Sequence, residues 1–183
     1  TLFRSLNQPE ITNISSNLPN GTYGYLTVVD VLVTFDADIV AITCPNVSLV
    51  MNSGTDPRAW CDSVSGNVMT MKYNVGAGQT SSDLGYKSNI FVTNGTVGVQ
   101  STEGITASYV VPSNGAQNSL SANKDIVIDA VLPVISSHTA SNVNTNSATI
   151  NFSSTKAGTY YYLLTLSSTS ITSTATVIAQ GSA

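Results

Sequence analysis

Residues 25–35 read YLTVVDVLVTF, and apolar side chains recur there at every second position. A period of two is typical of a β-strand with one buried face, because successive side chains of a strand point to opposite faces. Residues 67–75, NVMTMKYNV, repeat the pattern. The apolar faces consist of Val29, Val31, Val33 and Phe35 in the first stretch and of Met69, Met71, Tyr73 and Val75 in the second. These two stretches place the chain in the all-β class.

Six further short stretches have strand composition, and none of the chain predicts an amphipathic helix. They are residues 11–15, 47–51, 58–61, 89–93, 105–111 and 124–128. Turn-forming sequences separate them, namely PNG at 19–21, NSG at 52–54, SGN at 65–67 and NG at 94–95 and 114–115. Short strands at this spacing predict a β-sandwich.

A second unit is predicted to begin near Pro133. Its strand candidates are residues 134–136, 148–153, 159–166 and 175–179. Four strands are about half of what an immunoglobulin-like sandwich of ~100 residues contains. We therefore expect an N-terminal linker at 1–8, a sandwich at 9–130 and an incomplete second sandwich at 131–183. The missing strands would come from a continuation of the same polypeptide, which we favour because sandwich domains usually supply their own strands, or from a neighbouring subunit.

Charge is scarce along this chain of 183 residues, which carries 9% charged residues and a net charge of −4. Hydroxyl and amide side chains replace it, with 26 Ser, 23 Thr and 17 Asn. This composition is typical of secreted and surface β-proteins. The six cations are scattered singly, so we expect no nucleic acid partner. No apolar run reaches the ~18 residues of a membrane span, and no signal peptide is recognisable at Thr1, so secretion would require a removed leader or an internal fragment.

Four stretches carry a resemblance to a known class of repeat. They are NGTYGYLTVVDVLVTFDADIV (20–40), PNVSLVMNSG (45–54), NVMTMKYNVGAGQTSSDLGY (67–86) and NSLSANKDIVIDAVLPVI (118–135). In order and spacing they resemble the tandem immunoglobulin-like and cadherin-like repeats of large extracellular adhesins and of algal or protist surface-fibre (mastigoneme-like) glycoproteins. The two cysteines depart from many such repeats. The second unit looks similar to a fibronectin type III module.

The resemblance implies an immunoglobulin-like sandwich and a structural or adhesive role in a large extracellular surface or fibre-forming glycoprotein. The implied partners are neighbouring modules of the same polypeptide and other subunits of a fibre, at the cell surface or outside the cell. The alternative is a carbohydrate-binding or accessory module of a secreted enzyme. An exposed aromatic patch would favour that alternative.

Nothing in the sequence predicts an enzyme. The single histidine, His138, lies in a polar stretch without a catalytic motif, and no phosphate loop, dinucleotide fingerprint or zinc-spaced set is present. Trp60 is expected to be a core anchor. In a strand over 159–166, Tyr161 would point away from Tyr160 and Tyr162, so that only part of this run faces the core.

Calcium is the one metal for which candidate ligands exist, since cadherin-like junctions bind it with grouped carboxylates. The candidates are Asp36 and Asp38, which follow a strand, and Asp125 and Asp129, near the unit boundary. No Asp-x-Asp-x-Asp loop is present. Solvated turn carboxylates are the alternative, and we predict no other cofactor.

Cys44 and Cys61 are predicted to form a disulfide, because two cysteines in a hydroxyl-rich secreted domain indicate an oxidising compartment. A hairpin turning near Gly54 would place Cys61 opposite about Leu49, so Cys44 would have to fold back over the sheet edge. Two buried free thiols are the alternative.

Five Asn-x-Ser/Thr triplets are candidate N-glycosylation sites: Asn13, Asn20, Asn46, Asn94 and Asn151. A chain this rich in Ser, Thr and Asn contains about five such triplets by chance. Position is more informative, since Asn20 and Asn94 precede Gly-Thr in turns and Asn151 falls on the outward face of its strand.

Overall fold

A computed structural model describes residues 8–88, 91 and 98–162, and this part of the chain is all-β. Its contacts divide the protein into two compact units, Thr1–Leu132 and Pro133–Ala183. The described strands are β1 (Ile11–Ser16), β2 (Gly21–Tyr23), β3 (Val28–Phe35), β4 (Ile39–Ala41), β5 (Ser48–Val50), β6 (Arg58–Ser65), β7 (Val68–Asn74), β8 (Thr80–Ser81), β9 (Val99–Ser101), β10 (Ile126–Asp129), β11 (Ile135–Ser141) and β12 (Thr149–Ser154). A 3-10 turn at Cys44–Asn46 and a four-residue helix, α1 (Leu120–Asn123), accompany them.

Some predicted features lie outside the described residues. These are residues 1–7 of the linker predicted at 1–8, most of the strand at 89–93, the glycosylation candidate Asn94, the end of the strand at 159–166 and the strand at 175–179.

A five-stranded antiparallel sheet with the order β1-β3-β7-β6-β5 forms one side of the first unit. At its centre Val31 pairs with Met71 and Val33 with Met69. The inward side chains of β3 and β7 are almost completely buried, as the period-two pattern predicts. The outward positions are half-buried or exposed and include Asp30 and Lys72.

Shorter strands cover this sheet. They form a three-stranded sheet with the order β2-β10-β8 and a two-stranded sheet of β4 and β9, and β2 runs parallel to β10. Ile126 and Ile128 of β10 and Val99 of β9 are buried in the same hydrophobic core as the large sheet. The first unit therefore has sheets packed around one continuous core.

Both edges of the five-stranded sheet are hydrogen-bonded to flanking segments. At β1, the amide of Ile14 donates to the carbonyl of Asn118 at 2.8 Å, and Asn123 Nδ2 donates to the carbonyl of Ile14 at 2.7 Å. At β5, the amide of Lys87 donates to the carbonyl of Val50 at 2.9 Å. Edge strands offer unpaired backbone groups to other chains, and these contacts reduce that exposure in the first unit.

The predicted disulfide is present, with the Cα atoms of Cys44 and Cys61 5.2 Å apart. The predicted register is wrong by two residues, because Leu49 pairs with Ala59 and the amide of Cys61 donates to the carbonyl of Val47 at 2.9 Å. Cys44 lies three residues before Val47, in the 3-10 turn. This turn folds the chain back across the edge of the sheet and brings the two sulfurs together.

Two of the strands predicted from the sequence, at 105–111 and 159–166, are not formed as regular strands in the described residues. Residues 105–111 contain isolated bridges instead of a strand, one of them between Thr106 and Gln100, although Ala107 and Val111 are buried. In the second unit, residues 157–161 are irregular.

The described strands of the second unit, β11 and β12, form an antiparallel hairpin in which Ile135 pairs with Ser154 and Ser141 with Thr149. Apart from the half-buried Ser154, every residue of the hairpin strands is exposed.

Replacing both Cys44 and Cys61 with Ala is expected to lower the free energy of unfolding of the first unit by roughly 3 kcal/mol, because the bond closes a loop of 17 residues. Urea denaturation with and without dithiothreitol measures the effect. Reductant should destabilise the wild type and leave the double variant unchanged. Equal sensitivity of the two proteins to reductant would contradict the stabilising role.

Candidate interaction surfaces

Trp60 is not a core anchor, which corrects the sequence prediction. Its side chain is 41% exposed, whereas its neighbours Ala59 and Cys61 in β6 are buried. The disulfide requires Cys61 to point inward, and alternation along a strand then directs residue 60 outward. The only tryptophan of the chain therefore lies on the outer face of the five-stranded sheet.

Charged side chains flank this indole. Lys72 of β7 is directly opposite Trp60, and its Nζ lies 3.4 Å from a carboxylate oxygen of Asp62. Arg58, two residues before Trp60 on the same face, pairs with Asp56 through contacts of 3.0 and 3.1 Å. We call these five residues, Asp56, Arg58, Trp60, Asp62 and Lys72, the Trp60 face.

Ser48 completes the neighbourhood on the β5 side, where it pairs with Trp60 across the strands. Its hydroxyl accepts a hydrogen bond of 3.1 Å from Arg58 Nη1. Arg58 is thus held by two partners at once, so its guanidinium has a fixed position beside the exposed ring.

The second unit carries a groove of about 750 Å³ with mostly apolar walls. Its lining includes Ile135, Ala148, Ile150, Phe152 and the three tyrosines at 160–162. The rings of Phe152 and Tyr160 meet edge to face with their centroids 5.2 Å apart, and the Tyr160 hydroxyl donates to the carbonyl of Lys156. Ile150 and Phe152 are nevertheless 53% and 46% exposed.

The three tyrosines do not alternate as predicted. All of them line the groove, because residues 157–161 are irregular and the two-sided geometry of a strand does not apply there. His138 also lies in the groove wall, among aliphatic and aromatic side chains. Among the described residues no carboxylate or thiol lines this groove, and the other ionisable side chains in its lining are the three tyrosines.

The buried tyrosine hydroxyls of the first unit serve the fold. Tyr73 donates to Gln79 Oε1 at 2.5 Å and lies 2.6 Å from the hydroxyl of Ser53. The Tyr86 hydroxyl donates to the carbonyl of Pro112 at 2.6 Å, and burial raises the pKa of Tyr86 to about 12. Both hydroxyls stay protonated at neutral pH and fasten loops to the core.

The calcium candidates lie in different surroundings. Asp36 accepts a hydrogen bond of 2.8 Å from the amide of Glu10, and Asp129 accepts one of 3.4 Å from the amide of Val131. Asp38 lies near the turn at Gly66, and Asp125 lies near Asp83. Within residues 8–88, 91 and 98–162, no group of three or more Asp, Glu, His or Cys side chains is placed to hold a metal ion.

Four of the five sequon asparagines can be located. Asn20, Asn46 and Asn151 are exposed, and Asn13 is half-buried with its side-chain oxygen accepting from Asn123 Nδ2 at 2.8 Å. Asn20 Oδ1 accepts a hydrogen bond of 3.1 Å from the amide of Asp125, so this bond involves the side-chain oxygen and not the amide nitrogen that a glycan modifies. Asn151 alternates with the groove residues Ile150 and Phe152 and lies on the other face of β12.

Neither a protein-family model, nor a characterised protein, nor a solved structure matches this chain. In the part of the chain that the structure describes, no helix has the length and apolar character needed to cross a membrane.

Replacing Asp83 with Asn is expected to stabilise the first unit at neutral pH. One carboxylate oxygen of Asp83 is buried without a hydrogen-bond partner, and burial, followed by the nearby carboxylate of Asp125, raises the pKa of Asp83. The folded state therefore holds this proton more tightly than the unfolded chain does. The stability that Asp83 contributes is complete below the ordinary aspartate pKa of about 3.9 and is lost as pH rises through the raised value.

Thermal melts of the wild type and of Asp83→Asn across this pH range test the expectation. The variant should have the higher Tm at neutral pH, and the two curves should converge in acid. Asp62→Asn, a change at an exposed ion pair, is the control and should alter Tm little. A variant that is less stable than the wild type at neutral pH would contradict the assignment.

N-glycan occupancy is expected to be higher at Asn20 than at Asn13, because Asn20 is exposed in a turn and Asn13 is half-buried in strand β1. Glycopeptide mass spectrometry of protein secreted from a eukaryotic host measures the occupancy of each site. Unmodified Asn20 in that material would refute glycosylation at this turn.

Proposed function

We propose that this chain is a structural or adhesive module of a large extracellular surface or fibre-forming glycoprotein, built from immunoglobulin-like sandwich units and without enzymatic activity. The observation that carries the proposal is the exposed apolar groove of the second unit. Its partners would be neighbouring modules of the same polypeptide or other subunits of a fibre, as in the tandem adhesin and surface-fibre repeats that the sequence resembles.

Strand order supports the immunoglobulin-like architecture. An immunoglobulin sandwich has one sheet with the order A-B-E-D. The order β1-β3-β7-β6 corresponds to it if β4 and β5 take the place of the strands between B and D. In this correspondence β2 continues the first strand and crosses to the opposite sheet, where it pairs in parallel with β10, the last strand of the unit.

The hairpin of the second unit supports an assembly role. A two-stranded hairpin is at best marginally stable in water, and an apolar sheet face requires a facing layer. Burying a side chain such as Ile150 or Phe152 contributes about 1.5–3 kcal/mol. A chain segment that covers the groove therefore stabilises the hairpin and binds to it through the same contacts.

The disulfide bond between Cys44 and Cys61 supports an extracellular location. Disulfides persist in oxidising compartments, and Cys44–Cys61 joins two segments of a small unit in the way typical of secreted domains. The surface derives its polarity from hydroxyl and amide side chains in place of charge.

Self-association of the 183-residue chain tests the proposal. Sedimentation velocity should show concentration-dependent oligomers, and the dye ANS should bind to the open groove. Ile150→Asp and Phe152→Asp should reduce both signals, because each variant places a charge in the apolar wall.

Val143→Asp is the matched control, since Val143 is 70% exposed in the same unit and does not line the groove. It should behave like the wild type. A wild-type chain that remains monomeric at about 100 μM and binds no ANS would overturn the assembly role. An equal loss of association in all three variants would contradict the assignment of the groove as the contact surface, because it would show that any added charge in this unit prevents association.

A further inference from the structure

The Trp60 face concentrates charge on a protein that has very little of it. The chain contains 6 basic and 10 acidic residues, hence 16 in all, and four of these surround its single tryptophan. Asp30 of β3, directly opposite Lys72, adds a third carboxylate to the same side of the sheet. Elsewhere the described outer positions of the sheet are mainly hydroxyl, amide or aliphatic. A flat aromatic ring beside charged donors and acceptors is complementary in chemistry to a ligand with an apolar face and a polar rim.

We propose that the Trp60 face binds the pyranose rings of a neutral glycan chain. A pyranose ring presents axial C–H groups on its face and hydroxyls around its rim. The exposed indole would stack on the C–H face, where both surfaces lose contact with water. The carboxylates of Asp56 and Asp62 would accept hydrogen bonds from the rim hydroxyls, and Arg58 and Lys72 would donate to them.

Preorganisation supports this assignment. Trp60 stands on a central part of β6, a strand paired on both sides, so its backbone is fixed before a ligand arrives. Arg58 is held by Asp56 and by the Ser48 hydroxyl, so that one flanking donor has a defined position. Groups that are already ordered lose little conformational entropy on binding, which favours a weakly binding ligand such as a sugar.

Two other ligand classes fit the same face less well. A polyanion requires unpaired cations, whereas Arg58 and Lys72 each have a carboxylate partner within 3.4 Å. A protein partner would favour a contiguous apolar patch around the aromatic anchor, but the cross-strand neighbours of Trp60 are Ser48 and Lys72. Balanced charge around one aromatic ring is complementary to a neutral polyol.

This inference goes beyond the proposed function, because it names the ligand class of an adhesive surface. It does not involve the groove of the second unit. Glycan binding by a chain that fails to associate, or association of a chain that binds no glycan, would therefore separate the two proposals.

Tryptophan fluorescence tests the inference directly, since Trp60 is the only tryptophan and its emission has no other source in the chain. The full chain is titrated with soluble neutral polysaccharides, namely mixed-linkage β-glucan, xylan, galactomannan and mannan. At least one of them should shift the emission to shorter wavelength and protect the indole from acrylamide quenching. The same polysaccharide cast into a native gel should retard the protein.

Trp60→Ala should weaken retardation by about tenfold or more, and Trp60→Phe should retain part of it because an aromatic ring remains. Tyr25→Ala, at another exposed aromatic of the first unit, should bind like the wild type. The Cys44–Cys61 bond and the far-UV circular dichroism of each variant confirm that it is folded. The inference is wrong if no polysaccharide of the panel changes the emission or the mobility of the protein. It is also wrong if Trp60→Ala is retarded as strongly as the wild type. A shift of the emission by neutral phosphatidylcholine vesicles, without a shift by the glycans, would show a lipid-binding surface instead.

Discussion

The antiparallel pairing of β3 with β7 is the contact on which the rest of the first unit depends. Seven residue pairs run from Val28–Asn74 to Thr34–Val68, and alternate pairs bury a side chain from each strand. Burial of one Val or Met contributes about 1.5–3 kcal/mol, so a shift of one residue, which would expose the whole set, is strongly disfavoured. This register determines which face of β6 and β1 points inward, because those strands pair with β7 and β3.

The same constraint explains what the sequence could and could not predict. The long strands follow from their own alternation, whereas β4, β8 and β9 have two or three residues each and are held by partners distant in sequence. The exposure of Trp60 was deducible from an inward Cys61, but the general preference of tryptophan for the interior outweighed that parity argument. The connection between β5 and β6 is centred at Gly54, as predicted, and this centre places Cys61 opposite Val47 instead of Leu49. The position of Cys44 could not be predicted in the same way, because it depends on a 3-10 turn of which Pro45 is the only local signal.

In the second unit, the alternation of apolar residues predicts which side chains share a face but not whether that face is buried. Ile150 and Phe152 have the spacing of a buried face, as Val31 and Val33 do, yet they are exposed. Period two predicts which side chains share a face of a strand, and it contains no information about the layer that covers that face. For the Trp60 face the limit was different, because Lys72 and Trp60 become neighbours only through the pairing of β6 with β7.

Scarcity of charge determines the kind of binding that these surfaces can support. With 16 charged residues in 183, long-range electrostatic steering is weak, and association depends on short-range burial and hydrogen bonding. The Trp60 face places its few charges in mutual pairs, and the walls of the second unit's groove are mainly apolar. Salt screens exposed ion pairs such as Lys72–Asp62, whereas the burial of apolar side chains does not depend on Coulomb attraction. Ionic strength should therefore affect the charged contacts of the Trp60 face more than the apolar contacts of the groove.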